Sequence, residues 1–365
     1  MIFIEVINMV VIEYKCPCCG AALAFEEESQ KLACEACGNE FELDAIKAYN
    51  EPDDGAPEQD FRWEQSAKST FSEEEEAVMN MITCPSCGGE IISDANTAAT
   101  FCPFCENPAV ITGRVTGGLR PDGVLPFKLS KEDAKKAFAN LCKGKPLLPR
   151  DFASQQRLEK ISGIYVPFWL YDCDCTVNAR YRATRTHTWS DSKYHYVRTE
   201  HFLLLRSGGL AFEGIPVDGS QKMDNAILES IEPFDYSQIV DFDTAYLSGF
   251  LADKYDVSAD DGKPRVEERV TQTADALLRD TCAGYLTVTK ERMNLRTNHA
   301  GSKYVLLPVW MLHSKYQGKT YVFAMNGQTG KMTGTFPIST QRCWTWFGGI
   351  AAAVTAVATA ILMLL

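Results

Sequence analysis

The front of this 365-residue chain has very few cations. Residues 1–111 contain 5 Lys and Arg against 22 Asp and Glu, whereas the rest of the chain contains 31 against 26. A divalent ion held by four thiolates would add a net charge of about −2 at each metal site in this region. Such a surface repels phosphate backbones, so we do not expect the front third to bind nucleic acid.

The chain also lacks the common catalytic and nucleotide-binding motifs. It has no HExxH, GxSxG or GxGxxG pattern. Its nearest approach to a phosphate-binding loop, Gly327–Met332, has neither the spacing nor the Ser or Thr that such a loop requires. We therefore expect no enzyme and no small-molecule substrate.

Three sets of polar or reactive side chains in the middle of the chain leave alternatives open. One alternates acids with thiols on a predicted strand: Asp172, Cys173, Asp174 and Cys175. One comprises three histidines of a predicted hairpin: His187, His195 and His201. The third is basic and aromatic: Arg180, Arg182, Arg185, Arg198, Tyr181, Tyr194 and Tyr196. A redox or metal site, or a surface for an acidic partner, lipid headgroup or nucleic acid, is one interpretation. Half-buried strands with a solvated face explain the same pattern.

The cysteines are clustered in two frames. Each frame has two Cys-x-x-Cys pairs separated by fourteen residues. The predicted metal ligands are Cys16, Cys19, Cys34 and Cys37 in the first frame, and Cys84, Cys87, Cys102 and Cys105 in the second. Gly follows three of the four pairs and suits the tight turn of a metal-binding knuckle, since it readily adopts a positive φ. Four soft ligands brought together by a hairpin predict a tetrahedral zinc ribbon.

We expect one Zn²⁺ in each frame, two in all, with a structural role. Four thiolates close the coordination shell, whereas a catalytic zinc keeps an open position. Because so small a unit cannot supply its own core, metal binding of about 10–16 kcal/mol would act as its folding energy. Rubredoxin-type iron and a redox dithiol are the alternatives. Cys18 lies between two predicted ligands and is interpreted as a spare thiol or a competitor of Cys19.

These features predict a multidomain α+β protein. The expected parts are a zinc ribbon at residues 9–43, an acidic linker at 44–80, a second zinc ribbon at 81–111, a β-rich α+β domain at 112–340 and a transmembrane helix at 344–365. A short helix is expected near the end of the linker. The apolar start of the chain is read as a strand, or as a segment upstream of a true initiator at Met9; it lacks the basic region of a signal peptide.

Local patterns predict the elements of the β-rich domain. Ser130 caps a helix that ends at Gly144, and further helices are expected around Asp241–Tyr255 and Val266–Cys282. A long strand from Tyr165, a polar turn and a second apolar run predict a hairpin, and a last strand pair follows near the end of the domain. The segments PFWLY and PVWML resemble one another, which indicates either two related β units or chance.

The last twenty residues contain no charge. A helix of this length spans about 30 Å, which is the thickness of the hydrocarbon core of a bilayer. Trp344 and Trp346 lie where an interfacial aromatic belt is expected. Lys331 and Arg342 precede the span, and zinc thiolates persist in reducing cytosol, so we expect a single-pass protein of the cell membrane with its bulk in the cytoplasm.

The chain resembles a group of bacterial, mostly Firmicute, proteins described as TFIIB-type zinc-ribbon-containing proteins. The resemblance lies in MVVIEYKCPCCGAALAF, TCPSCGGEIISDANTAATFCPFCENPAVI, GIYVPFWLYD and SIEPFDYSQIVDFDTAYLSGFLADKYD, and extends over nearly the whole chain from Met9. It implies that the eight frame thiols are ligands; Cys18 and the absent glycine of the fourth knuckle are departures. Some members, the YdjG-like proteins, are encoded beside phage-shock-protein-A-like and SPFH (flotillin-like) proteins.

The resemblance therefore implies a membrane-anchored adaptor or scaffold in envelope stress. Two structural zinc ribbons would recruit protein partners, expected to be SPFH/flotillin-like or phage-shock-protein-A-like, to the membrane. Two modules on one chain would raise the effective concentration for a bivalent partner. The alternative is a zinc-ribbon nucleic-acid-binding protein of transcription or replication, which the acidic front third disfavours.

Overall fold

The computed structural model describes residues 14–50, 59–64, 69–94, 101–105, 107–108, 110–115, 118–149, 152 and 161–364. The structure is a mixed α+β fold rich in β-strand, which confirms this coarse part of the predicted class. The apolar start of the chain and Met9 lie outside the described residues.

The fifteen strands of the described residues differ widely in length. In chain order they are β1 (Ala24–Glu26), β2 (Lys31–Ala33), β3 (Glu40–Phe41), β4 (Gln59–Asp60), β5 (Met79–Thr83), β6 (Glu90–Asp94), β7 (Val110–Arg114), β8 (Gly123–Val124), β9 (Ser162–Ser190), β10 (His195–Asp218), β11 (Val240–Asp241), β12 (Leu251–Asp253), β13 (Thr287–Tyr316), β14 (Lys319–Asn326) and β15 (Met332–Gly334). The strands β9 and β10 match the predicted hairpin, and β13 and β14 match the predicted last strand pair.

Six α-helices are present in the same residues. They are α1 (Leu43–Asn50), α2 (Glu73–Ala77), α3 (Lys131–Cys142), α4 (Asn225–Ile231), α5 (Ala259–Asp280) and α6 (Thr340–Leu364). The short helix expected at the end of the acidic segment is α2, which begins with a capping box formed by Ser72 and Glu75. The helix predicted after Ser130 is α3, and a second capping box, between Ser130 and Asp133, fixes its start.

The chain forms two compact units, neither of which is continuous in sequence. The first unit comprises residues 1–63, 173–211 and 267–300, and the second comprises 64–172, 212–266 and 301–365. Residues of β9, β10, α5 and β13 occur in both units. The domain boundaries expected from the sequence therefore stay a prediction.

The first unit contains a small antiparallel sheet of its own. Its three strands lie in the order β1-β2-β3, with Phe25 opposite Leu32 and Leu32 opposite Phe41. The helix α1 follows β3 directly and buries Ile46 completely. The unit also contains a pairing of β4 with Leu295 and Arg296 of β13.

The second unit is built on one large sheet, with strands in the order β11-β8-β13-β9-β12-β6-β5-β7. The strand β12 joins its two halves, because it pairs parallel with β9 and antiparallel with β6. Wholly buried apolar side chains, such as Ile91, Val166 and Leu307, fill its core. The strands β5, β6 and β7, which were predicted as part of a separate ribbon, are strands of this sheet.

The two similar segments PFWLY and PVWML occupy equivalent positions in the second unit. The indole of Trp169 donates to the carbonyl of Val257, just before α5, and the indole of Trp310 donates to the carbonyl of Leu129, just before α3. The proline carbonyl two residues earlier accepts a glycine N–H in both cases. These matched contacts favour two related β units over chance.

One predicted helix is wrong. The segment around Asp241–Tyr255 contains the strands β11 and β12 and a short 3-10 turn, Thr244–Leu247. The carboxylate of Asp243 accepts from the N–H of Ala245 and starts this turn, and Gly249, at φ +79°, ends it. Parallel pairing of β12 with β9 then overrides the helical spacing of the apolar residues. The helix expected around Val266–Cys282 is α5, which begins seven residues earlier than expected.

The chain ends in the apolar helix α6. Its 24 residues from Thr340 to Met363 are long and apolar enough to cross a membrane, and its most apolar stretch is fully exposed. The hydroxyl of Thr355 donates to the carbonyl of Ala351, and that of Thr359 donates to the carbonyl of Thr355. Both polar groups are thus satisfied within the helix, as an apolar surrounding requires.

Candidate metal centres

The four Cys-x-x-Cys turns share one backbone geometry. In each, the N–H of the first cysteine donates to the carbonyl five residues later. The pairs are Cys16 with Ala21, Cys34 with Asn39, Cys84 with Gly89 and Cys102 with Asn107, at 2.7, 2.9, 2.9 and 2.8 Å. The glycine that follows three of the turns, Gly20, Gly38 and Gly88, has a φ between +68° and +77°. The positive φ predicted for these glycines is confirmed.

The first frame brings four sulfurs together at one end of the small sheet. The Sγ atoms of Cys16 and Cys37 lie 3.6 Å apart, and those of Cys19 and Cys34 lie 3.5 Å apart. All four sulfurs lie within 4.8 Å of one another. Cys18 is not a member of this set, in agreement with its interpretation as a spare thiol.

The second frame forms the same arrangement on β5, β6 and β7. The Sγ atoms of Cys84 and Cys105 lie 3.5 Å apart, and those of Cys87 and Cys102 lie 3.6 Å apart. Again all four sulfurs lie within 4.8 Å of one another. The fourth turn has no glycine; the amide of Asn107 instead donates to the hydroxyl of Ser86 at 2.7 Å, which links the two turns of this frame.

The sulfur spacing fits a tetrahedral metal site in both clusters. A tetrahedron with metal–sulfur bonds of about 2.3 Å has sulfur–sulfur edges of about 3.8 Å. The closest observed contacts, at 3.5 and 3.6 Å, are near that edge and far above the disulfide length of about 2.05 Å. Each cluster can therefore hold one metal ion through four thiolates.

Hydrogen bonds to sulfur favour one thiolate in each cluster. In the first, the backbone N–H of Asn39, assisted by its side-chain amide, lowers the pKa of Cys37 to about 6. In the second, burial raises the pKa of Cys84, but the N–H groups of Cys87 and Ser86 outweigh it, and the pKa falls to about 7. Burial raises the pKa of Cys102. A metal ion must displace protons from the other thiols, so binding releases protons.

The first cluster is partly exposed to solvent. Cys16 and Cys34 are buried, whereas Cys19 and Cys37 are exposed. The guanidinium of Arg182, on β9, donates to the carbonyl of Pro17 within the first turn at 3.2 Å. This cation partly offsets the negative charge of a four-thiolate site.

The surroundings of the second cluster are the core of the second unit. Cys84 and Cys102 are completely buried among the apolar residues of the large sheet. Cys87, Cys105 and Phe104 are partly buried and pack against the same cluster of side chains. The metal site is thus continuous with the core.

A cation also lies beside the second cluster. The ammonium of Lys222 donates to the carbonyl of Cys87 at 3.1 Å. Neither Lys222 nor Arg182 was predicted to contact a frame, because each lies more than a hundred residues from it in sequence. The only signal for them was the need for positive charge near eight thiolates in an acidic region.

The structure does not bring the other candidate residues into metal-binding sets. Among the described residues, the groups of His, Cys, Asp and Glu with metal-ligand spacing contain cysteines alone. His187 lies 3.7 Å from Glu200, and His195 hydrogen-bonds to Ser190. Cys173 and Cys175 are both buried on one face of β9, as expected for a half-buried strand.

The basic and aromatic side chains of β9 have internal partners. Arg180 and Arg182 both pair with Glu291, at 3.5 and 2.6 Å, and the guanidinium of Arg180 lies over the ring of Tyr49. The hydroxyl of Tyr181 donates to the carboxylate of Asp275 at 3.0 Å. These contacts are structural and leave these three side chains little capacity for an acidic partner.

Comparison with known proteins places the chain among relatives. No family model and no solved structure matches it. YdjG, an uncharacterized protein of Bacillus subtilis strain 168, is 36% identical over 341 residues, which cover 93% of this chain and 94% of the relative. The chain belongs to the YdjG family. Identity at this level along nearly all of both chains indicates that the two proteins share one fold.

Proposed function

We propose that the protein is a membrane-anchored, non-enzymatic adaptor of the cytoplasm, in which two structural zinc ribbons recruit protein partners. The observation that carries the proposal is the presence, in one chain, of two closed four-thiol clusters and an exposed apolar C-terminal helix. Four thiolates leave no coordination position for a substrate or water, which supports a structural role for each ion.

Zinc is the metal that these ligands favour. Soft thiolates in a tetrahedron select zinc or iron among the common divalent metals. Zinc has no redox chemistry and no preference for another geometry, and this suits a site whose role is to hold the surrounding surface rigid. Elemental analysis that finds iron in the protein purified from its native host would contradict this choice.

The helix α6 is proposed as the anchor. Lys331 and Arg342 flank it on its N-terminal side, which favours a cytoplasmic location for the bulk of the chain. Deletion of residues 340–365 is expected to move the protein from the membrane fraction to the soluble fraction. A truncated chain that stays with the membrane would contradict the anchor.

Each ribbon carries an exposed aromatic ring that suits a docking role. Phe25, on β1, is 50% exposed, and Phe101, beside the last turn of the second frame, is 68% exposed. Aromatic side chains of this kind dominate the binding energy of many protein interfaces. Partners are proposed to be SPFH/flotillin-like or phage-shock-protein-A-like proteins of the envelope stress response, because similar proteins are encoded beside them.

The test is affinity purification from detergent-solubilised membranes of the native host. The wild-type chain is expected to recover an SPFH-like or phage-shock-protein-A-like protein, identified by mass spectrometry. The double variant Phe25→Ala/Phe101→Ala should lose this partner while it retains its metal content and its membrane location. The control is Leu286→Ala, which removes an equally exposed apolar side chain outside both ribbons and should change nothing.

Unchanged partner recovery by the double variant would contradict the adaptor proposal. Recovery of nucleic acid in place of protein, with a strong dependence on salt, would favour the nucleic-acid-binding alternative.

A further inference from the structure

A cavity of about 820 Å³ lies at the start of α6, within the second unit. Its size falls in the range of small-molecule sites, which is about 300–1,000 Å³. Polar side chains, including Gln341 and Arg342, line one part, and Gly349, Ile350 and Ala353 of the apolar helix line another. The cavity is therefore amphipathic, and its apolar part belongs to the segment proposed to enter the membrane.

The polar part of the cavity offers a cation. The guanidinium of Arg342 donates to the carbonyl of Leu148, and within the described part of the chain no carboxylate lies within ion-pair distance of it. The N–H of Ser339 donates to the carbonyl of Leu147 at 2.9 Å, so two contacts hold the start of α6 against residues 147–148. The guanidinium is thus fixed in position and has N–H groups left for an anion.

The chain around this cavity has a strong charge bias. Residues 301–365 contain five Lys and Arg and no Asp or Glu, in a protein of net charge −12. The segment 142–151, which supplies Pro149 to the cavity wall, contains three further cations and one acid, Asp151. Positive charge therefore outweighs negative charge in the segments that form the membrane-proximal cavity.

We propose that this cavity binds an anionic phospholipid, with the headgroup phosphate on Arg342 and an acyl chain along Gly349, Ile350 and Ala353. The proposal rests on the proposed membrane anchor and adds to it the lipid class that the anchor selects. Arg is well suited to phosphate because its planar guanidinium donates two parallel hydrogen bonds. Basic pockets beside transmembrane helices are known to hold anionic headgroups.

The first experiment compares lipid retention in nanodiscs. The full chain is reconstituted in phosphatidylcholine with an equal amount of phosphatidylglycerol, and lipids that stay bound after transfer to detergent are counted by native mass spectrometry. Wild type should retain phosphatidylglycerol in preference to phosphatidylcholine by about fivefold or more, since one cation near the surface is worth a factor of this size. Inorganic phosphate should not displace the lipid, because it lacks the acyl chain.

A charge variant tests the headgroup contact. Arg342→Gln should reduce the preference for phosphatidylglycerol to near unity. Lys331→Gln is the matched control, because it removes the same charge away from the cavity. Tyr316 of the cavity wall pairs with the first residue of β14, whereas Lys331 lies in the turn after the last residue of that strand. The control should keep the wild-type preference.

A steric variant tests the acyl contact. A Cβ at Gly349 would meet no atom within 4 Å apart from its chain neighbours and the backbone of its own helix, so Gly349→Leu can be accommodated and would fill the apolar part of the cavity. Retention of bound lipid should fall by about fivefold or more in this variant. Gly348→Leu is its control, because Gly348 has the same open surroundings but does not line the cavity.

Failure of this inference can be distinguished from failure of the anchor. If wild type and both variants co-sediment with membranes but retain both lipids equally, the lipid site is refuted and the anchor stands. If wild type does not co-sediment with vesicles of either composition, the anchor itself is refuted. Equal losses in the Lys331→Gln or Gly348→Leu controls would also overturn the assignment, because the effect would then be general.

Discussion

The two four-thiol clusters have the same ligands and the same turns but different surroundings. The first cluster ends a separate three-stranded sheet, and two of its cysteines, Cys19 and Cys37, are exposed. The second cluster continues into the core of a large sheet, where Cys84 and Cys102 are completely buried. A metal-binding motif that occurs twice in the chain thus ends a small separate sheet in one copy and adjoins a domain core in the other.

This difference shows that the role of a structural metal depends on what its strands pair with. Among the strands that the structure describes, β1, β2 and β3 pair only with one another, so a metal at their end stabilises few other contacts. The strand β6 pairs with both β5 and β12, so a metal at the end of β5 and β6 stabilises the connection to β9 as well. We therefore expect loss of the metal to affect folding more at the second cluster than at the first, although the two clusters have the same ligands.

The largest expected effect comes from removal of the ligands. Cys84→Ser/Cys102→Ser should unfold the second unit, because loss of a structural metal costs about 10 kcal/mol or more, comparable with the whole stability of a domain. Cys16→Ser/Cys34→Ser should disorder the small sheet and leave the large sheet intact. Hydrogen exchange monitored by mass spectrometry measures both. Loss of protection in the large sheet in the first-cluster variant would contradict the comparison.

The rate of metal loss should also differ between the clusters. With a chelator in excess, the first cluster should release its ion on the order of tenfold faster, because two of its sulfurs are exposed and its sheet opens locally at low cost. Absorbance of a metallochromic dye should show two phases of equal amplitude. The fast phase should be absent in Cys16→Ser/Cys34→Ser, and a single phase in the wild type would argue against the difference.

A buried carboxylate provides a pH test that concerns the second unit alone. Burial, opposed by a hydrogen bond from Ser220, raises the pKa of Asp253 on β12 from its ordinary value of 3.8 to about 7, and its Oδ2 has no hydrogen-bond partner. The folded state therefore binds this proton more tightly than the unfolded state. Its stabilisation is complete below about pH 4 and is lost as the pH rises through about 7.

Between pH 5 and 8 the unfolding free energy of the second unit should consequently fall by about 2 kcal/mol. Asp253→Asn should remove most of this slope, as measured by denaturant titration at several pH values. Asp241→Asn is the control, since this carboxylate of the second unit is exposed and is not one of the groups that shift the pKa of Asp253, so the slope should stay unchanged. Equal slopes in wild type and Asp253→Asn would show that the buried carboxylate is ionised throughout.

The smallest expected effect comes from one methyl group at equivalent positions of the two frames. A Cβ at Gly89 would lie 3.0 Å from the ring of Phe104, which packs against the core, so Gly89→Ala should cost about 1 kcal/mol. The corresponding residue of the first frame is already Ala21, and Ala21→Gly should cost about half of this, about 0.5 kcal/mol. Thermal unfolding measures the stability change of each variant. Equal changes would argue against tighter packing around the second frame than around the first.

Local features of this molecule could be predicted from sequence, because they are determined by residues that lie close together in the chain. The Cys-x-x-Cys pairs with their glycines predict the turns, and Ser130 predicts the start of α3. An uncharged stretch of twenty residues predicts the apolar helix. Each of these depends on contacts within a few residues, or, for the clusters, within one hairpin.

Pairings between distant segments could not be predicted. The joining of β6 to β9 through β12 depends on the contact of Leu251 with both Ser93 and Ile164, and nothing in the local pattern indicates it. The same long-range pairing turned an expected helix into β12. The contacts of Arg182 and Lys222 with the metal-binding turns are also long-range, and the sequence around a Lys or Arg does not indicate which distant segment it contacts.

The central claim is that each four-thiol cluster holds a structural metal ion. Native mass spectrometry of the full chain, purified in detergent without added metal, tests it most directly. The account predicts a mass increase that corresponds to two Zn²⁺ per chain, reduced to one in Cys16→Ser/Cys34→Ser. A chain that carries no metal, or that keeps the protection of its large sheet after complete removal of both ions, would contradict it.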